Sequence, residues 1–265
     1  MVERLKGKIA LVVGAGSSGP GWGNGKAAAV AFAREGSRVL LGARRMDRLK
    51  DVAAKCRDAG AGAAEIQRLD VASTPSVDAY AQWVKSTAGK VDVLINNAGG
   101  ALGLEPVAQG RDEDWEGMMQ SNVLGILRMT RAILPLMQGT NGYIINIGSV
   151  AGHTAYENGA AYCGAKAAEL SITRALRLEL NGTGIRVGTI DPGMAETEFS
   201  MVRFKGDTAK AAKVYEGVEP LTAEDIAETL VWVASRPKHV CIDELLIKCT
   251  DQAAVHKVYR RPVAK

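Results

Sequence analysis

At 265 residues, with 47% apolar residues, 30 glycines and only 3 phenylalanines, the chain can bury one sizeable Ala/Val/Ile/Leu-rich core and reads as a single α/β domain over residues 1–265. Its formal charge of +4 is spread along the sequence, which argues against a nucleic-acid partner. No run approaches about 18 apolar residues, the N-terminus lacks an apolar leader, and neither the cysteines nor the histidines show metal-ligand spacing, so the expectation is a cytoplasmic protein with free thiols, no metal and no membrane segment.

Residues 8–13 form a short apolar run ended by glycine, as expected of a buried parallel strand. A glycine-rich segment, residues 14–25, leads into an alanine-rich helical stretch, residues 26–36, that closes on glycine. Strand, glycine loop and helix together form the setting in which a dinucleotide pyrophosphate sits on a helix N-terminus. Glycines let the backbone approach phosphate without side-chain clash. Gly14, Ser17, Ser18, Gly23 and Gly25 are the candidate phosphate contacts. Gly14-x-Gly16-x-x-Gly19 matches the dinucleotide fingerprint, but a loop this rich in glycine matches it easily.

Residues 37–43 are the second strand, and Arg44 and Arg45 follow at once. A carboxylate near this point binds a ribose 2′-hydroxyl and repels a 2′-phosphate, whereas arginine pairs with one. The first acid is Asp47, beyond both arginines, at a position suited to cap the helix over residues 47–59. The reading is NADP (NADPH) rather than NAD.

Strand 64–70 ends on Asp70, with Val71 next; helix 74–88 follows, and strand 91–96 leads into Asn97, Ala98 and Gly99. Residues 112–137 are largely helical and carry Asn122. A fifth strand begins at Tyr143 and ends at Ser149, and a helix with Tyr162 and Lys166 runs to residue 180. Strand 184–190 precedes Pro192 and Gly193. Residues 194–220 show no strand pattern and suit a mobile substrate-binding flap of short helices, with Thr197 near its start. Helix 222–235 is capped by Thr222, residues 241–250 are a last strand, and the basic tail, residues 251–265, is expected to be a subunit contact or disordered. The repeated alternation of strand and helix implies a doubly wound parallel sheet of about seven strands with helices on both faces. Ligands of such sheets lie at the carboxyl ends of the strands. Gly14, Arg44, Asp70, Asn97, Ser149 and the Pro192-Gly193 pair all fall just after strands.

Tyr162 and Lys166 are one helical turn apart and share a face. A phenol with its ordinary pKa of about 10 is a poor base near neutral pH, and a nearby ammonium lowers it, as a general acid/base requires. Ser149, at a strand end, can hold a substrate oxygen toward that tyrosine.

Taken in order, the glycine loop, Leu69-Asp70-Val71, Asn96-Asn97-Ala98-Gly99, Asn122-Val123, Ser149, Tyr162-x-x-x-Lys166 and Pro192-Gly193 with Thr197 resemble the short-chain dehydrogenase/reductase family over nearly the whole chain. The resemblance implies a Rossmann-type fold and an oxidoreductase moving hydride between NADP and a small alcohol, ketone or aldehyde. It implies a tetrad in which Tyr162 exchanges the proton and Ser149 orients the substrate oxygen. Lys166 lowers the tyrosine pKa and binds the nicotinamide ribose, and Asn122 holds a water. Asp70 and Val71 would contact adenine, Asn97, Ala98 and Gly99 the adenosine ribose, and Thr197 the carboxamide. Family members are commonly homodimers or homotetramers built on the helices near Asn122 and Tyr162 and on the last strand.

The chain departs from the family in places. Val13 stands where a threonine is usual, and the glycine loop is longer, so either Gly23-Asn24-Gly25 or Gly19-Pro20-Gly21 can be its last pair. The last strand reads Ile242-Asp243-Glu244-Leu245-Leu246-Ile247 rather than ending Val-Asp-Gly-Gly, which is similar to a subgroup that reduces aldehydes and oxidises 3-hydroxy acids. Enoyl reductases resemble Tyr-x6-Lys, and neither Cys163 nor Glu169 is lysine. Sugar-nucleotide epimerases carry a larger C-terminal region, and non-catalytic NADP sensors commonly lose the tyrosine or lysine, both present here. An NAD-dependent member of the same family is the other open reading. In the flap, Arg203, Lys205, Lys210 and Lys213 point to an acidic substrate if any of them faces inward.

Overall fold

The apolar runs become the strands of a parallel sheet, whose central members, Ile9–Val13, Val93–Asn96 and Tyr143–Ile147, are buried on both faces. The computed structural model describes residues 3–16 and 22–262. In β1 (Ile9–Val13), Ala10 and Val12 pack into one hydrophobic cluster while Ile9, Leu11 and Val13 pack into the other. That is the two-residue side-chain period of a strand between two helical layers. The first cluster joins the sheet to α1 (Asn24–Arg34), α2 (Met46–Asp58) and α9 (Ala223–Ala234). The second joins it to α3 (Thr74–Ala88) and α5 (Gly125–Ile133).

With β2 (Arg38–Ala43), β3 (Ala64–Arg68), β4 (Val93–Asn96), β5 (Tyr143–Ile147), β6 (Arg186–Pro192) and β7 (Glu244–Ile247), the sheet has seven strands in the order β3-β2-β1-β4-β5-β6-β7, all pairs parallel. The expected α/β doubly wound sheet is present. Strand order reverses between β1 and β4, and such a reversal opens a crevice at the carboxyl ends of the strands. Pairing of Val13 with both Gly42 and Asn96 sets Gly14 beside Asn97, whose Nδ2 donates to the Gly14 carbonyl at 3.1 Å.

Several boundaries differ from the expectation. Met46 begins α2 and Arg45 is its N-cap, so Asp47 lies in the first turn and caps nothing. β5 stops at Ile147, and Ser149 instead caps a single 3₁₀ turn, its Oγ accepting from Ala151 N at 3.1 Å. Between α4 (Asp112–Met119) and α5 the helix passes through a π turn, Gln120–Leu124, which carries Asn122. β7 covers only Glu244–Ile247 of the ten residues expected.

The tail also differs, since residues 251–262 fold back as an antiparallel hairpin, β8 (Gln252–Ala254) with β9 (Lys257–Val258), rather than being disordered. Gln252 Oε1 accepts from Met194 N at 2.8 Å, Asp251 Oδ2 accepts from Glu219 N at 2.9 Å, and Arg261 N donates to Gly217 O at 2.7 Å. The tail therefore grips both ends of the 194–220 segment.

A capping box starts α9: Thr222 Oγ1 accepts from Asp225 N at 3.2 Å, and Asp225 Oδ2 accepts from Thr222 N at 2.8 Å. Thr222→Ala removes one half of it and is expected to cost about 1 kcal/mol of stability, read as a lower urea midpoint with an unchanged denaturant slope.

Candidate active site

One cleft of about 910 Å³ runs along the carboxyl ends of the strands. Gly14, Gly16, Gly23 and Gly25 line one part of it. Gly14 has φ +79, and a Cβ on it would meet the Ala98 backbone at 2.8 Å; a Cβ on Gly25 would collide with the Gly14 carbonyl. Only glycine fits at either position. Gly23 is the N-cap of α1, so Gly23-Asn24-Gly25 is the pair that opens the helix. Ser17 and Ser18 lie outside the described residues.

Arg44 and Arg45 line the far end of the cleft, directly after β2. Arg44 is exposed, and Arg45 donates through Nη2 to the Gly16 carbonyl at 3.1 Å. Asp70 and Val71 line the same end; Asp70 Oδ1 accepts from Ala72 N at 3.0 Å. Asn97, Ala98 and Gly99 form the middle, after β4. Pro192, Gly193 and Thr197 line the opposite wall, where Thr197 Oγ1 also accepts from Phe199 N at 3.2 Å. The strand-end positions thus converge on one crevice.

Tyr162 and Lys166 project into it from α6 (Ala160–Glu179), and Ser149 faces them from the loop after β5. All three are buried, at 8%, 6% and 8% exposure. Burial pushes the Tyr162 phenol up to about 12, opposed first by a hydrogen bond from Ser149 and then by the charge of Arg203. Lys166 Nζ donates to the Ile147 carbonyl at 2.6 Å, and burial holds its pKa below the ordinary lysine value. Asn122 does not line the cleft. It is fully buried, its Nδ2 donating to Gly100 O and Met118 O at 2.9 Å each and its Oδ1 accepting from Gly100 N at 3.1 Å. It clamps the loop after β4 from behind.

The flap adds two short helices, α7 (Phe199–Arg203) and α8 (Thr208–Lys213). Of its four cations, Lys205 pairs with Asp114 at 2.7 Å, Lys210 pairs with Asp207 at 3.5 Å within α8's first turn, and Lys213 is exposed. Arg203 alone of the four lines the cleft, with its guanidinium carbon 5.5 Å from the Tyr156 ring and 5.8 Å from the Tyr162 ring. Its Nε donates to Gly103 O at 3.0 Å while Gly103 N donates back to Arg203 O at 3.0 Å. Phe199 packs edge-on against Tyr162 at 5.4 Å. Tyr156, Gln252 and Arg260 also line the cleft. No periodicity or motif marks these three in the sequence, because tertiary contacts bring them there.

A family model described as short chain dehydrogenase matches residues 8–208. The chain belongs to that family. It is 39% identical over 262 residues, 98% of this chain and 99% of the relative, to an NADP-dependent 3-hydroxy acid dehydrogenase of Schizosaccharomyces pombe. It is 38% identical over 251 residues, 94% of this chain and 97% of the relative, to a serine 3-dehydrogenase of Agrobacterium fabrum. Among solved structures, the closed form of a serine dehydrogenase complexed with NADP+ superposes with a TM-score of 0.87 at 38% identity, covering 96% of this chain and 100% of that one. Among the described residues no helix is long and apolar enough to cross a membrane.

Proposed function

We propose that this protein is an NADP(H)-dependent oxidoreductase that moves hydride between nicotinamide and the hydroxyl-bearing carbon of a small 3-hydroxy acid. The observation that carries the reading is a single cleft with a buried Ser149–Tyr162 pair at one end and two arginines, with no carboxylate between them and the strand, at the other. The residues fit the dinucleotide. Gly14 and Gly25 leave backbone where phosphate approaches, Arg44 and Arg45 would hold the 2′-phosphate, and Asp70 and Val71 would flank adenine. Asn97, Ala98 and Gly99 would meet the adenosine ribose, Lys166 the nicotinamide ribose, and Pro192, Gly193 and Thr197 the carboxamide.

Bound nicotinamide supplies the hydride chemistry. Tyr162 accepts the hydroxyl proton as the alcohol becomes a carbonyl, and returns a proton in the reverse direction. Ser149 holds the substrate oxygen. With both sides of its amide engaged by the backbone, Asn122 acts by fixing the loop after β4. Residues 194–220 form the substrate flap of the single domain. We further propose a cytoplasmic homodimer or homotetramer; the exposed leucines Leu127 on α5, Leu178 on α6 and Leu246 on β7 support an interface there.

The 3-hydroxy acid reading draws on the relatives' names and is supported by Arg203. A guanidinium beside the proton-transfer group in a mostly apolar pocket is suited to a substrate carboxylate. Arg203→Met is expected to raise KM for a 3-hydroxy acid about tenfold to hundredfold, with far less effect on an alcohol of the same size lacking the carboxyl group. Because the Arg203 charge lowers the Tyr162 pKa, the variant should also need higher pH for oxidation. Equal losses on both substrates would reduce Arg203 to a flap latch.

A further inference from the structure

Behind Tyr162 lies a buried acid that the reaction above leaves unassigned; burial raises its pKa, and the Lys166 charge is the first influence that opposes this. Glu169, one turn beyond Lys166 on α6, is 1% exposed. Its Oε1 shares the Thr173 Oγ1 proton with the Glu169 backbone carbonyl, at 3.1 and 2.9 Å, but its Oε2 has no hydrogen-bond partner and lies 3.9 Å from Lys166 Nζ. An unpartnered carboxylate oxygen in a core is costly unless a charge faces it. A glutamate that served packing alone is poorly explained there.

Lys166 has the complementary need. Burial favours its neutral amine, and the opposing influences are the carboxylates of Glu169, first, and Asp191. Asp191 is already engaged on both oxygens, by Thr189 Oγ1 at 2.6 Å and by His153 Nε2 at 2.6 Å. Glu169 is the carboxylate with an oxygen to spare.

We propose that Glu169 is a positioning residue for hydride transfer: from beneath the cleft its carboxylate keeps Lys166 charged and held against the floor formed by Ile147. The inference rests on the roles given above to Tyr162 and Lys166. The titratable groups facing Glu169 are Lys166 and Tyr162 on its own helix, Asp191 on β6 and His153 in the turn after β5. The Glu169 charge favours ammonium on Lys166 and opposes phenolate on Tyr162. Removing it therefore lowers both pKa values, disfavouring the ammonium and favouring the phenolate.

The test is Glu169→Gln, which keeps the shape and deletes the charge. NADPH dissociation constants are measured from tryptophan quenching between acid and alkaline pH, alongside kcat for oxidation. NADPH affinity in the variant should fail at a pH about one unit or more below that of the wild type. Both limbs of the oxidation profile should move down with it. Thr173→Val, which removes the donor to Oε1 and favours the neutral acid, should shift the same curves the same way by less, and serves if the glutamine variant does not fold. Profiles that superpose on the wild type, with at most a uniform loss of kcat, would overturn the proposal and leave the reaction intact. A wild type that neither binds NADPH nor turns over would instead sink the underlying reading, and this inference with it.

Discussion

Tyr162→Phe is expected to lower kcat by about a hundredfold to ten-thousandfold while leaving the protein folded and still able to bind NADPH. The substitution removes one hydroxyl and keeps the ring, which packs on Phe199 at 5.4 Å and among Ala101, Met118, Ala151 and Cys163. What is lost is the proposed proton-transfer group. Because burial pushes the phenol up to about 12 even with Ser149 and Arg203 acting against it, the open cleft holds it protonated near neutral pH. It is then ready to donate during carbonyl reduction. Oxidation needs the phenolate, so the wild-type oxidation rate should climb with pH, and Ser149→Ala should move that climb higher. A Tyr162→Phe rate within about tenfold of wild type, with the same pH profile, would assign the proton to another group.

The second large effect is on cofactor choice. Arg44→Ala should weaken NADPH about tenfold to hundredfold and leave NADH nearly unchanged. Arg44 is exposed at the end of β2 and lines the cleft, while Arg45 reaches the Gly16 carbonyl, so Arg44 is the freer of the two to follow a phosphate. An exposed cation acting on a phosphate is screened by salt, so the wild-type preference should narrow as ionic strength rises. The same quenching titration with NADH separates this from a general loss of the loop. A parallel loss of both cofactors would mean that Arg44 supports the loop instead of reading the phosphate.

Much of this site was legible because buried parallel strands are continuous apolar runs, and the groups that meet a ligand fall immediately after them. Gly14, Arg44, Asp70, Asn97, Ser149 and Gly193 follow from that rule, and the structure brings them to one crevice. Asn122 shows where it stops. An i→i+5 turn has no residue signature, so nothing in the helical pattern over residues 112–137 announced the π turn or that the amide would face Gly100 rather than the cleft. Arg203 could be named among four flap cations but not chosen, since its inward aim depends on reciprocal hydrogen bonds to Gly103, far away in sequence. The tail hairpin was hidden for a similar reason. Two and three residues are too short for strand periodicity, and β8 and β9 are held by Gln252 on Met194 and Asp251 on Glu219 and Arg261. Glu169 served in the sequence only to rule out a Tyr-x6-Lys pattern; its proximity to Lys166 gives it a different importance.

The proposed reaction couples NADP(H) to the proton chemistry of Tyr162 on a 3-hydroxy acid within one cleft. Its most direct test is the steady-state oxidation of a series of short 3-hydroxy acids by the purified protein, with NADP+ and NAD+ in parallel, following nicotinamide reduction. The expected result is turnover that favours NADP+ in kcat/KM by about tenfold or more, falls at least about a hundredfold with Tyr162→Phe, and falls sharply when the substrate carboxyl is removed. Turnover that is indifferent to the phosphate, or that stays within about tenfold of wild type without the tyrosine hydroxyl, would contradict this reading.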